Sequence, residues 1–153
     1  MTIRLLFTGK TKQDYIQSGI NEYIKRCGSY VPVKIDIIPD VKLIGSRSVE
    51  QVTRQEAESL LKALKKSAYT ILLDESGTSM SSTEFASFLE PKLKCSLQII
   101  IAGVYGADNS LHKRADTVLS LSSMTFTHQM ARLIISEQLY RALTIINGKK
   151  YHY

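Results

Sequence analysis

Leu97-Gln98-Ile99-Ile100-Ile101-Ala102-Gly103-Val104-Tyr105-Gly106 is the stretch on which the reading of the fold turns. Its three consecutive isoleucines are β-branched and lack polar alternation, the pattern of a strand covered on both faces inside a parallel sheet. The run then enters two glycines bracketing Val104-Tyr105. Such glycines either simply turn the chain or let its backbone approach a ligand that a Cβ would block. Working outward, Ile3–Thr8 reads as a first strand ending at Gly9. The helical spacing of Tyr15, Ile16, Ile20, Tyr23, Ile24 and Cys27 predicts a helix over 12–27 with Gly28 as its cap. Val33–Ile38 reads as a second strand closed by Pro39-Asp40, and 47–66 as a second helix with Val52, Ala57, Leu60, Leu61 and Leu64 on one side. A strand over 69–73 ends in the turn signal Asp74-Glu75-Ser76-Gly77, and Ser81 or Ser82 caps a helix over 83–90. A short helix over 109–115, a short strand over 117–121 and a long helix over 128–147, stopped by Asn147-Gly148, complete the chain. Alternating strands and helices predict an α/β parallel sheet. At 153 residues with no linker or repeat, the chain suits a single domain spanning 1–153.

Composition narrows the function classes. Hydrophobic residues make up 44% and charged residues 22% of the chain, which argues against disorder. The net charge of +6 favours polyanionic partners, and it is unevenly spread. Residues 1–70 carry 12 basic and 7 acidic side chains, residues 71–127 carry 4 and 6, and residues 128–153 carry 4 and 1. Cys27 and Cys95 are far apart and form no metal or disulfide pattern, which points to a reducing cytoplasm. No apolar run approaches the ~20 residues of a membrane span. Gly9-Lys10-Thr11 is not a phosphate loop, because Arg4 stands where the motif's first glycine belongs. There is no G-x-G-x-x-G after the first strand and no G-x-S-x-G. His112, His128 and His152 are spaced too widely for a local metal motif, so no metal is expected.

The last third carries the candidate chemistry. In an open α/β sheet, ligands bind beyond the carboxyl ends of strands, where the loops at 103–106 and 121–126 fall. The long helix is apolar around much of its circumference, suggesting a subunit interface as well as a core. Arg132, Glu137 and Arg141 interrupt it. Glu137 and Arg141 are i,i+4, which reads either as an ordinary surface ion pair or as part of a site. The ending Lys149-Lys150-Tyr151-His152-Tyr153 either frays or suits stacking and phosphate contacts with unpaired nucleotides.

The run Leu119-Ser120-Leu121-Ser122-Ser123-Met124-Thr125-Phe126-Thr127-His128-Gln129-Met130-Ala131-Arg132, with Glu137-Gln138-Leu139-Tyr140-Arg141-Ala142, Asn147-Gly148 and Tyr151-His152, resembles the RlmH family. These small SPOUT-class methyltransferases act on N3 of a pseudouridine in 23S ribosomal RNA. The resemblance covers the whole chain, including the opening strand-Gly-Lys, Glu22-Tyr23, Lys25-Arg26, Ile38-Pro39 and Leu73-Asp74 with Gly77. It implies a parallel-sheet SPOUT fold with a C-terminal trefoil knot, a homodimer, a ribosomal substrate and S-adenosylmethionine as methyl donor. By similarity the donor meets Leu73, Ala102, Gly103, Gly106, Leu121, Ser122, Ser123, Met124, Thr125 and Phe126. For the chemistry, Glu137 or His152 would assist removal of the N3 proton, and Arg132 or Arg141 would stabilise negative charge on the base. Lys149, Lys150 and Tyr151 would contact RNA. The chain departs from the family at Ala102, where paired glycines are usual, at Thr127, where proline is common, and at Tyr153, where a basic residue is frequent. Two other readings stand beside this one: a non-catalytic RNA- or ribosome-binding module, and a SPOUT enzyme with a different RNA target.

Overall fold

The computed structural model describes every residue from Met1 to Tyr153. Five strands, β1 (Ile3–Thr8), β2 (Val33–Ile38), β3 (Tyr69–Ser79), β4 (Leu97–Ile101) and β5 (Thr117–Ser120), form one sheet in the order β2-β1-β4-β3-β5. Every neighbouring pair is parallel. Helices α1 (Asp14–Cys27), α2 (Val49–Ala63), α3 (Ser82–Leu89), α4 (Asn109–Arg114) and α5 (His128–Ile146) connect and cover it.

β4 is central, and all five of its residues are buried. The period of two then divides the core. Ile3, Leu5, Phe7, Ile71, Leu97, Ile99 and Ile101 share one cluster with residues of α1, α3 and α5. Leu6, Leu72 and Ile100 point the other way, into a smaller cluster with residues of α2 and α4. Gln98, the one polar residue of β4, keeps its place because its amide is satisfied. Its Nε2 donates to Lys65 O and Thr70 Oγ1, and its Oε1 accepts from Lys65 N–H and Arg4 Nη1. No helix is long and apolar enough to cross a membrane.

Local signals set the boundaries. Ser48 and Ser81 each form a capping box, with Gln51 and Glu84 respectively, so α2 starts at Val49 and α3 at Ser82. α2 stops at Ala63, short of the predicted 66, because Leu64 is already extended. The largest difference from expectation is β3. Its predicted end at Leu73 is a bulge rather than a stop: Leu73 and Thr78 both pair with Leu119, and the strand resumes to Ser79. The turn chemistry is real, since Asp74 Oδ2 accepts from Ser76 N–H at 2.9 Å, but pairing with β5 continues beyond it. β4 and β5 each end one residue earlier than predicted.

Two family departures acquire physical meaning here. No residue other than glycine has a positive φ, so Ala102 sits in ordinary backbone that tolerates its methyl. Thr127, at φ −62°, is the N-cap of α5, and its Oγ1 accepts from Met130 N–H. It supplies a cap that proline lacks.

Beneath the loop after β4 lies Glu56 of α2, only 5% exposed. One of its carboxylate oxygens accepts from Val41 N–H at 3.1 Å, tying down the loop after β2. The other lies so close to Gly103 that a Cβ there would stand 2.7 Å from it. Glu56 therefore joins the carboxyl ends of β2 and β4. Burial pushes its carboxyl above the ordinary range, Asp40 adds to the push, and the Val41 N–H opposes it. Between the ordinary and the raised value, the folded chain holds a proton that the unfolded chain has released. Stability therefore falls as pH rises through that window.

Two outcomes follow for folding. Gly103→Ala should lose about 1–3 kcal/mol in urea unfolding, by overpacking against Glu56, and adding Glu56→Ala should recover part of the loss. Full additivity of the two substitutions would show that they do not touch. As pH rises from the ordinary carboxyl range through the raised one, Glu56→Gln should lose less stability than the unsubstituted protein; equal losses would remove Glu56 as the cause.

Candidate active site

Because all strands run parallel, their carboxyl ends share one edge, where an open cavity of about 920 Å³ lies. Its walls come from the end of β3, the loop after β4, the loop after β5 and the start of α1. Nine of the ten residues that the resemblance assigned to the donor line this cavity: Leu73, Ala102, Gly103, Gly106, Leu121, Ser122, Met124, Thr125 and Phe126. Ser123 does not.

The loops that form these walls are internally braced. Gly106 N–H donates to Gly103 O at 3.1 Å, and Gly106 has φ +86°, a conformation that favours glycine. In the loop after β5, Ser120 Oγ donates to Ser122 O and Met124 N–H donates to Ser122 Oγ, both at 2.9 Å. Thr125 Oγ1 donates to Glu75 Oε2 at 2.9 Å, fastening that loop to the bulge of β3. Leu73, Ile101 and Leu119 contribute buried apolar surface, whereas Asp74 and Glu75 place carboxylates at the cavity wall.

Arg132 stands elsewhere. Its residue is 0% exposed, its Nη2 donates to Thr8 O at 2.5 Å and its Nη1 to Thr11 Oγ1 at 3.1 Å. The guanidinium lies 4.8 Å from the Phe7 ring centroid. Burial lowers its pKa to about 10, which leaves it charged at neutral pH. Beside it, burial holds His128 below the ordinary histidine range, and the Arg132 and Lys12 cations add to the effect. Gln129 Nε2 donates to Lys10 O and faces His128 Nε2 at 3.1 Å, while Gln129 Oε1 accepts from Lys12 N–H at 2.9 Å. The first turns of α5 thus grip the loop between β1 and α1.

Glu137, Arg141, Tyr151 and His152 do come together. Glu137 Oε1 accepts from Arg141 Nε at 3.0 Å, from Arg141 Nη2 at 2.7 Å and from Tyr151 OH at 3.1 Å. Glu137 Oε2 accepts from Gln138 Nε2. The Arg141 and Glu137 side chains are 24% and 19% exposed, so this is a half-buried pair rather than a solvated one. Arg141 Nη1 donates to His152 Nδ1 at 3.2 Å, which places the ring lone pair on Nδ1 and the ring hydrogen on Nε2. Tyr151 has Arg141 Cζ 4.7 Å from its ring centroid and packs edge-on against Tyr140 at 4.8 Å. Burial, hydrogen bonding with Tyr23 and the Glu137 charge push its hydroxyl pKa up. The chain end therefore folds back onto α5, Lys149 N–H donating to Thr144 O, and leaves Lys149 and Lys150 exposed. Tyr153 is exposed as well.

Two contacts escaped the sequence reading. Glu56 had a legible signal, since Val52, Glu56 and Leu60 follow i, i+4, i+8 spacing and place a carboxylate on an apolar stripe. The approach of Arg26 to the Tyr140 ring, at 5.7 Å, had none, because Tyr140 comes from a distant helix, whereas its approach to Tyr23 at 5.8 Å lies within α1.

The cavity and the Glu137 cluster are separate within one chain. The last α5 residue lining the cavity is Ala131. At 1.5 Å of rise per residue, Glu137 lies about 9 Å and Arg141 about 15 Å further along the axis.

Comparison with known proteins agrees with this architecture. Residues 1–152 match the family model described as "Predicted SPOUT methyltransferase". The chain is 42% identical to Ribosomal RNA large subunit methyltransferase H of Parabacteroides distasonis, covering 100% of this chain and 99% of that protein. It is 43% identical to the protein of the same name from Geotalea daltonii, with 100% of both chains covered. A solved structure of a probable methyltransferase from Bordetella pertussis Tohama I shares the fold with a TM-score of 0.59 at 10% identity, covering 92% of this chain and 93% of that one. With the family model matched from the first strand to the folded-back end, the chain belongs to the SPOUT methyltransferases.

Proposed function

We propose that this protein transfers a methyl group from S-adenosylmethionine to N3 of a pseudouridine in 23S ribosomal RNA, acting in the cytoplasm on the assembled ribosome. The observation that carries the reading is the convergence of nine resemblance-assigned residues on one cavity, together with the gathering of Glu137, Arg141, Tyr151 and His152 from α5 and the chain end. The cavity suits the donor: its volume falls in the range for a ligand of that size, its floor is apolar, and Asp74 and Glu75 complement the donor's positive charge. When bound, the donor supplies an electrophilic methyl on a sulfonium, so the protein's work is alignment, exclusion of water and removal of the acceptor's proton. The family resemblance implies that the C-terminal segment is threaded through a loop as a trefoil knot, with the donor pocket in that knot.

Methylation forms the N3–C bond, breaks the donor's S–C bond and releases the N3 proton. Glu137 Oε1 already accepts three hydrogen bonds, so Glu137 is assigned to holding Arg141 in place. Arg141 Nη1, now directed at His152 Nδ1, shifts to a base carbonyl and stabilises the charge that develops there. That shift frees His152 Nδ1 to take the N3 proton. Arg132 is assigned to positioning, because its guanidinium is buried against Phe7 and Thr8. Lys149 and Lys150 contact phosphates, and Tyr151 orders the chain end beside them.

The separation along α5 supports a site completed by a second copy of the chain. In the proposed homodimer, the Glu137 cluster of one protomer faces the donor cavity of its partner. The exposed apolar side chains at the cavity rim, Val104, Tyr105, Met124 and Phe126, support a covered rim.

With labelled donor and ribosomes lacking the modification, Arg141→Ala and His152→Ala should each lower kcat by about 10²-fold or more, and Glu137→Gln by less. Wild-type rates in all three folded dimers would refute the placement. Mixing Arg141→Ala protein with a cavity-filling Leu121→Trp protein should restore activity that neither has alone; no recovery after subunit exchange would place both halves of the site in one chain.

A further inference from the structure

The loop Gly9-Lys10-Thr11-Lys12-Gln13 carries two cations and no acid, and it is held unusually firmly for an exposed connection. Three hydrogen bonds with α5 hold it: Arg132 donates to Thr11 Oγ1, Gln129 Nε2 donates to Lys10 O and Gln129 Oε1 accepts from Lys12 N–H, while Arg132 also donates to Thr8 O just before the loop. Gln129 grips both lysine backbones with one amide, so it fixes their positions while both side chains remain exposed. The loop ends at the donor cavity, which Gln13, Tyr15 and Gln129 line. Tyr15, in the first turn of α1, is 68% exposed.

Charge around the cavity is polar in direction. Sheet order puts the loop after β1 on one side of β4 and the end of β3 on the other. On one flank Lys10, Lys12 and the buried Arg132 outnumber the two acids there, Asp40 beside Gly9 and Asp14 at the start of α1, and Asp74 and Glu75 stand on the opposite flank. A polyanion reaching the cavity is drawn to the first flank and repelled by the second. Two fixed cations spaced two residues apart, beside an exposed aromatic ring, match the chemistry of an unpaired RNA strand: phosphates on the lysines and a base on the tyrosine.

We propose that Lys10 and Lys12, with Tyr15, form an RNA-strand contact at the mouth of the donor cavity, additional to the chain-end lysines. It rests on the function proposed above and deepens it by naming where the substrate backbone enters. Arg132 and Gln129 act here as positioning residues for the contact, which gives the buried arginine a role other than touching substrate.

The test uses the full-length protein and two probes: fluorescein-labelled single-stranded oligouridylate for binding, and ribosomes lacking the modification for methylation. Lys10→Ala/Lys12→Ala should weaken oligouridylate binding and flatten the slope of log affinity against log salt by about 1.4, at about 0.7 for each phosphate no longer neutralised. Lys62→Ala/Lys113→Ala, which removes the same charge from exposed positions on α2 and α4, should leave that slope unchanged. Tyr15→Ala should weaken binding about tenfold and Tyr15→Phe should not, since stacking needs the ring alone. Donor binding by calorimetry should stay the same in both lysine-pair variants, none of whose residues lines the cavity, and the KM for ribosomes should rise in Lys10→Ala/Lys12→Ala. Equal slopes for the two lysine pairs, or wild-type affinity in both Lys10→Ala/Lys12→Ala and Tyr15→Ala, would overturn the contact while leaving the methylation reading intact. Failure of the unsubstituted protein to bind oligouridylate and to methylate ribosomes would overturn both.

Discussion

A buried guanidinium holds the working edge of this protein together. Arg132 is inaccessible to solvent, and removing such a cation from water costs several kcal/mol unless hydrogen bonds and nearby charge compensate. Its two terminal nitrogens donate to Thr8 O and Thr11 Oγ1, and its planar face lies on Phe7. The charge of Asp40 favours its protonated form. Its Nε and the neighbouring Thr8 Oγ1 have no partner in the protein. A group this costly to bury confines its surroundings to few arrangements: α5 must lie against the end of β1. That contact sets where the β1–α1 loop stands relative to the loop after β5, and hence where the cavity opens.

Glu56 performs the complementary task on the other face of the sheet. It links the loop after β2 to Gly103 without a cationic partner, so it is held by a backbone N–H and by packing. Together Arg132 and Glu56 immobilise the ends of β1, β2 and β4, three adjacent strands. The loop after β4 gains rigidity from groups that do not line the cavity, which is the arrangement that the proposed alignment of a methyl group demands.

Much of this order was legible. The buried isoleucines of β4, the alternation of strands and helices, and the placement of the 103–106 and 121–126 loops beyond strand ends all followed from local pattern. The i,i+4 spacing of Glu137 and Arg141 was visible too, but their half-buried pairing, with Tyr151 and His152 folded over them, was not. That closure depends on Gly148, at φ +62°, turning the chain after α5 and on Tyr140 offering its ring to Tyr151. The extension of β3 past Asp74 escaped for a similar reason. A local turn signal cannot register that Thr78 and Ser79 will find partners on β5.

By itself the sequence determined periodicity, charge distribution and the identity of the chemical groups, because those depend on neighbours a few residues apart. The tertiary structure decided which groups meet. It buried Arg132 among residues 121 and more positions away, put Glu56 beneath a glycine of another strand's loop, and separated the Glu137 cluster from the cavity along α5. Each of these depends on which strands are adjacent in the sheet and how the helices return across it. Sequence spacing carries no record of either, since the contacts span long chain separations and form only when the core does.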